Sequence, residues 1–259
     1  MARNIKITLA YDGHDFHGWQ VQPGLETVQG TLAEVIGRIT GEKVLPQGSG
    51  RTDAGVHAEA QVAAFTTDTP IPIENLVVVL NDRLPPAIRV TAIEEADDGF
   101  HPRHSAREKT YRYRLYRGDV VPPFLWRYVT HHPYPLDEAA MAAAAAELVG
   151  EHDFTSFAAV DPDRAARAAS DTGGDPIHAT NVRTIYESRF ERIGDELVYT
   201  VRGNGFLHHM VRNLVGTFLL VGKGTLKPED IGRILDAKDR SAAGATAPAN
   251  GLCLVKVEY

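Results

Sequence analysis

The chain has 259 residues and a formal net charge of −7, with 43% hydrophobic and 24% charged residues. That is the composition of an ordinary soluble globular protein, long enough for one large domain or two closely joined ones. No run of 18 or more apolar residues is present to span a bilayer. The single cysteine, Cys253, admits neither an internal disulfide nor a multi-cysteine metal site and points to a reducing, cytoplasmic setting. The first residues run straight into a strand pattern and carry no apolar signal region.

A negative total argues against a nucleic-acid partner, but a binding surface is local. Residues 1–100 carry net −7 and residues 118–259 net −5, whereas residues 101–117 hold six basic groups and one acidic group, net +5. The whole positive excess lies in those 17 residues. On charge alone, a solvated strand face explains it as well as a binding surface.

In chain order, Ile5, Ile7, Leu9 and Tyr11 alternate with polar or small residues and predict a half-buried strand. Thr27 is placed to cap a helix whose Leu32, Val35, Ile36 and Ile39 share one face, with Gly41 to end it. Residues 60–67 predict a strand, 73–80 a helix after two prolines, and 88–93 another strand. Residues 110–117 form a strand with Tyr111, Tyr113 and Leu115 on one face and Arg112, Arg114 and Tyr116 on the other. The alanine-rich 136–149 and the apolar 208–221 predict helices, 182–190 and 197–202 a hairpin, 228–235 a helix led by Pro228, and 252–259 a closing strand. Residues 158–180 have no period and predict a long loop. Helices mixed with a hairpin favour an α+β fold with a largely antiparallel sheet. Two subdomains, 1–105 and 106–259, are expected.

Several chemical signals fail. The glycine–lysine pair near Lys223 has the wrong spacing for a phosphate loop and no Ser or Thr after the lysine. The pairs His131–His132 and His208–His209 belong to no metal-ligand pattern, and adjacent residues of a helix point to different faces. No nucleophile elbow is present. Two clusters remain. Residues 48–58 (GSGRTDAGVHA) set one Arg and one Asp among glycines that let a backbone approach a ligand; a tight turn in which Asp53 only caps backbone amides is the alternative reading. Residues 203–213 lead into a helix where Arg212 flanks an apolar stripe and needs an acidic partner; Asp53, Asp230 and Asp236 are the candidates.

Residues 50–58 (GRTDAGVHA) resemble the signature of the tRNA pseudouridine synthase A family. So do 11–13 (YDG) with 16–20 (FHGWQ), 100–103 (FHPR), 109–113 (KTYRY), 151–157 (EHDFTSF), 206–216 (FLHHMVRNLVG) and 243–252 (AGATAPANGL), in the family's order. The resemblance spans nearly the whole chain and is weakest over 158–180. It implies two similar α/β subdomains that form a largely antiparallel mixed sheet flanked by helices, with a cleft between them. It also implies isomerisation of uridine to pseudouridine at positions 38, 39 and 40 of the tRNA anticodon stem-loop. The implied enzyme is a homodimer that uses no cofactor, nucleotide or metal.

By the same resemblance Asp53 is the nucleophile and Tyr111 stacks on the target base. Arg212 pairs with Asp53, and Arg51 enters the RNA helix. The +5 segment then has a use, since Arg103, Arg107, Lys109, Arg112 and Arg114 are candidates for RNA phosphates. A non-catalytic RNA-binding protein on the same fold and a small-molecule enzyme using Asp53 with Arg212 are the rival readings.

Overall fold

A computed structural model describes residues 2–160 and 180–259. Most of the long loop expected at 158–180 therefore lies outside the described residues. The chain divides into two compact units: Met1–Lys109 joined by Leu252–Tyr259, and Thr110–Gly251. The closing strand, which a linear split assigns to the second subdomain, thus belongs with the first.

In the first unit β1 (Arg3–Tyr11) lies antiparallel between β3 (His57–Thr67) and β4 (Ile88–Ala96). The short β2 (Gln47–Gly48) adds antiparallel to β3, and β10 (Leu252–Glu258) adds parallel to it. Alternation in β1 buries Ile5, Ile7 and Leu9 completely, each contributing roughly 1.5–3 kcal/mol. They share the core with Val28, Leu32 and Ile36 of α1 (Val28–Thr40) and Leu76 and Leu80 of α2 (Ile73–Arg83). The ends of α1 are as expected: the Thr27 hydroxyl accepts from Gly30 N, and Gly41, at φ 75°, donates its N–H to Gly37 O. Asn81 locks the end of α2 to β4 by donating to Val90 O and accepting from Val90 N, both at 2.9 Å.

The second unit, which β5 (Glu108–Tyr116) enters from the first at Thr110, orders its strands β5, β9 (Glu196–Gly203), β8 (Val182–Ile193) and β7 (Gly150–Asp153). β7–β8 and β8–β9 are antiparallel, while the two-residue β6 (Thr130–His131) runs parallel to β5. Three helices accompany them: α3 (Glu138–Ala146), α4 (Met210–Gly222) and α5 (Asp230–Ala237). The core centres on Tyr199 and Phe218, whose rings meet at 5.1 Å. Both units are therefore mixed and mainly antiparallel, as expected. Two helices are shorter than predicted. Asp137 caps α3 by accepting from Ala140 N, and α4 starts at Met210 because His209 sits at φ 59°. His208 and His209 thus precede the helix, and their rings lie 3.9 Å apart instead of on different helix faces. Among the described residues no helix is long and apolar enough to cross a membrane.

Candidate active site

Asp53 sits in the connection between β2 and β3, and the main chain on both sides of it is tied down. Ser49 N donates to Val62 O at 2.7 Å. The side chain of Gln61, fully buried on β3, accepts from the Ser49 hydroxyl (2.6 Å) and donates to Gly50 O (2.9 Å). Thr52 Oγ1 lies 2.8 Å from the Tyr11 hydroxyl, and burial pushes that phenol far above its ordinary pKa, so it stays a neutral hydrogen-bonding group. Beyond Asp53, Val56 N closes a turn onto Asp53 O at 3.1 Å, with Gly55 at φ 78°. The carboxylate side chain is half-buried and Arg51 is exposed.

The segment 11–20 forms the seat of this loop. Trp19 N donates to Thr52 O (3.0 Å), Gly55 N to Phe16 O (3.2 Å) and Gly13 N to His57 Nδ1 (3.1 Å). A Cβ on Gly13 would overlap Val56 O, and one on Gly48 would stand 2.6 Å from the Trp19 ring. The glycines are there because two backbones touch, or because a backbone lies on an indole.

In the second unit Tyr111 lies on the inward face of β5 with Tyr113 and Leu115, and Phe206 meets its ring edge-on at 5.1 Å and 80°. That contact fixes the plane of the phenol ring. Asn204 holds the loop that carries Phe206 by donating its N–H to Thr184 O and accepting from Thr184 N, both at 3.0 Å. Arg212, half-buried in the first turn of α4, donates from Nε to Ala247 O (2.8 Å), and Ala247 N returns a bond to Arg212 O (3.1 Å). Asp230, one of its candidate partners, engages Arg233 and Lys227 N instead. Beside Arg212, the fully buried Asn213 donates to Phe157 O and accepts from Arg240 and Thr246. The segment 243–252 therefore braces α4. It also receives the Tyr113 hydroxyl at Pro248 O, 2.8 Å away.

The basic residues of 101–117 are not equivalent. Arg107 is exposed, while its backbone N–H pairs with Glu258 O. Arg103 and Arg112 are half-buried. Two of them are engaged by groups of the protein itself. Arg114 is held by both oxygens of Glu196, at 2.6 and 2.7 Å. Lys109 is 9% exposed and donates to Ser49 O at 2.6 Å. Alternation explains the lysine, since position 109 falls on the same inward face as Tyr111. Long-range pairing explains the arginine, and a local charge count cannot register it.

The sequence profile of the family described as tRNA pseudouridine synthase matches residues 7–105 and 144–259 of this chain. The protein of Solibacter usitatus named tRNA pseudouridine synthase A is 54% identical over 258 residues, covering 99% of this chain and 100% of its own length. Those of Brevibacillus brevis and Moorella thermoacetica, under the same name, are 46% and 44% identical, covering 99% and 98% of this chain and 100% and 99% of their own lengths. The chain belongs to the tRNA pseudouridine synthase family. In this synthase-family chain the residues that sequence reasoning missed are the supports: Tyr11, Gln61 and Asn213, and Lys109 in its actual setting. Gln61 did leave a signal, as a lone amide inside the apolar run of β3. Asn213 stood inside the motif at 206–216 but was given no role of its own there.

Proposed function

We propose that this chain isomerises uridine to pseudouridine at positions 38, 39 and 40 in the anticodon stem-loop of tRNAs, as a homodimer, with Asp53 as the nucleophile. The observation that carries the reading is the Asp53 loop. A half-buried carboxylate stands on a backbone held from Ser49 to Val56, in a chain matched end to end by proteins named tRNA pseudouridine synthase A. A nucleophile that must reach one carbon gains most of its rate from such fixed placement. A binding module has no use for it.

The target nucleotide leaves the stack first, at a cost of a few kcal/mol. Stacking on the ring of Tyr111 returns about 1–3 kcal/mol. The Asp53 carboxylate then attacks ribose carbon 1′, adds to base carbon 6, or removes a ribose proton to give a glycal. On every route the bond from nitrogen 1 to the ribose breaks, the uracil turns, and carbon 5 bonds to carbon 1′. The Asp53 bond to carbon 1′ or carbon 6 breaks again, or the ribose proton returns to carbon 2′, so the carboxylate is regenerated; the carbon 5 hydrogen is lost as a proton while nitrogen 1 gains one. Arg212 is the cation assigned to the Asp53 carboxylate, and Arg51 holds the displaced nucleotide out. Arg103, Arg107 and Arg112 take phosphates.

Release of tritium from tRNA carrying 5-tritiated uridine, without added metal or nucleotide, tests the reaction. No release from several tRNAs with uridine at these positions rejects the isomerase and leaves the RNA-binding rival. Asp53→Asn is expected to abolish release and keep tRNA binding. An active Asp53→Asn protein would reduce Asp53 to a turn residue. Light scattering checks the dimer, and a monomeric mass would reject it.

A further inference from the structure

We propose that Lys109 is a positioning residue for the catalytic loop and does not contact RNA phosphate. The inference rests on the reading of Asp53 as nucleophile. The Lys109 ammonium is withdrawn from solvent and donates to Ser49 O at 2.6 Å, four residues before Asp53. Gly50 lies directly beneath it, where an added Cβ would stand 3.1 Å from Nζ. The other groups at this bend are committed to β3: Ser49 N to Val62 O, the Ser49 hydroxyl to Gln61 Oε1, and Gly50 O to Gln61 Nε2. β3 therefore anchors one side of the stem of the loop, and a charge-assisted bond from β5 anchors the other. Lys109 also precedes Tyr111 by one two-residue strand repeat, about 6.6 Å along the same face. The strand that presents the proposed stacking ring is thus the strand that sets the loop of the proposed nucleophile. An ammonium held on Ser49 O and withdrawn from solvent neutralises no phosphate, and so displaces none of the counterions condensed on the RNA.

The test is Lys109→Met in the full-length protein, which keeps the unbranched apolar stem as far as the ε carbon and removes the ammonium. Single-turnover tritium release at saturating tRNA is expected to fall about 10–100-fold, the scale of a small misplacement of a reacting group. The tRNA Kd and its salt dependence should stay as in the wild type, while the thermal midpoint falls modestly through the loss of the buried bond to Ser49 O. A wild-type rate overturns the proposal. So does a weaker Kd whose log–log salt slope shrinks by about 0.7–0.9, which would make Lys109 a phosphate contact. Gly50→Ala crowds the same ammonium from the loop side. It should also slow release, and the two losses should be less than additive in the double variant, as for groups that share one contact. Additive losses overturn the proposal. If Lys109→Met fails to fold, a wild-type rate in Gly50→Ala does so alone. Asp53→Asn run in parallel separates the two readings. Activity in that variant removes the nucleophile, whereas an inactive Asp53→Asn beside a fully active Lys109→Met removes the positioning role only.

Discussion

Gly18 has two separate reasons to be glycine. Its backbone stands at φ 84°, and a Cβ would come 2.6 Å from Thr52 O and 3.1 Å from Ala54 N. Left-handed strain and overpacking each cost about 1–3 kcal/mol. Gly18→Ala is therefore expected to lower the urea midpoint clearly and to slow tritium release by pushing on the residues flanking Asp53. A wild-type midpoint would mean that the loop yields easily and does not hold Asp53.

His132 presents a different residue-scale case. Arg117 Nη1 donates to His132 Nδ1 at 3.0 Å, so Nε2 carries the ring proton, and that atom is buried without a hydrogen-bond partner among the described residues. Burial first, and then the Arg117 charge, hold the His132 pKa below its ordinary value. The unfolded imidazole titrates near about 6.5, so it takes up a proton more readily than the folded one below that pH. The contribution of His132 is complete above that pH and is lost as pH falls through the lowered folded pKa. Between pH 7.5 and 5.5 the wild type should lose more thermal stability than His132→Gln. Equal losses would clear His132 of the effect. In the sequence this residue stood only as half of a histidine pair, because its neighbours come from the fold.

At the scale of elements, periodicity carried most of the outcome. β1, α1, α2, β4, β5, α5 and the β8–β9 hairpin stand within a few residues of their predicted places, because each buries one face and that face is written at period 2 or 3.6. β2 and β6, of two residues each, are too short to show a period. The start of α4 was misplaced because His209 adopts a left-handed turn that no side-chain pattern announces. The interior of α4 was legible as apolar, but its contact with 243–247 was not. A Cβ on Gly216 would overlap Ala245 O, and one on Gly244 would stand 2.6 Å from Gly216 O, so helix and segment meet backbone to backbone. Asn213 closes that contact with three hydrogen-bonded partners. Asn213→Ala is expected to cost about 2–4 kcal/mol by removing three buried hydrogen bonds and leaving Phe157 O without this donor. It should also slow tritium release, since Arg212 is the preceding residue on the same turn. A loss below about 1 kcal/mol in urea denaturation would show that water replaces the amide.

For the molecule as a whole, the charge question of the sequence has a sharper form. The net charge is −7 and the ligand is expected to be a polyanion, so binding must rest on a few local cations against a repulsive background. Of the six basic residues in 101–117, Lys109 is directed at Ser49 O, Arg114 at Glu196, and Arg117 at Glu138 and Tyr134 O. Arg107 is the exposed one. Each phosphate neutralised on a duplex contributes about 0.9 to the log–log salt slope, and about 0.7 on a single strand. The contribution of this segment to the slope of tRNA binding should therefore fall well short of what six contacts would give. Arg107→Ala should weaken binding and reduce the slope by about 0.7–0.9, while Arg114→Ala should leave the slope unchanged and lower stability slightly through the loss of a partly exposed pair. Binding measured from low to moderate salt for the three proteins decides this. An Arg114→Ala slope that falls as far as that of Arg107→Ala would mean that Glu196 releases its arginine to the RNA. The +5 segment would then serve binding as the family resemblance implied.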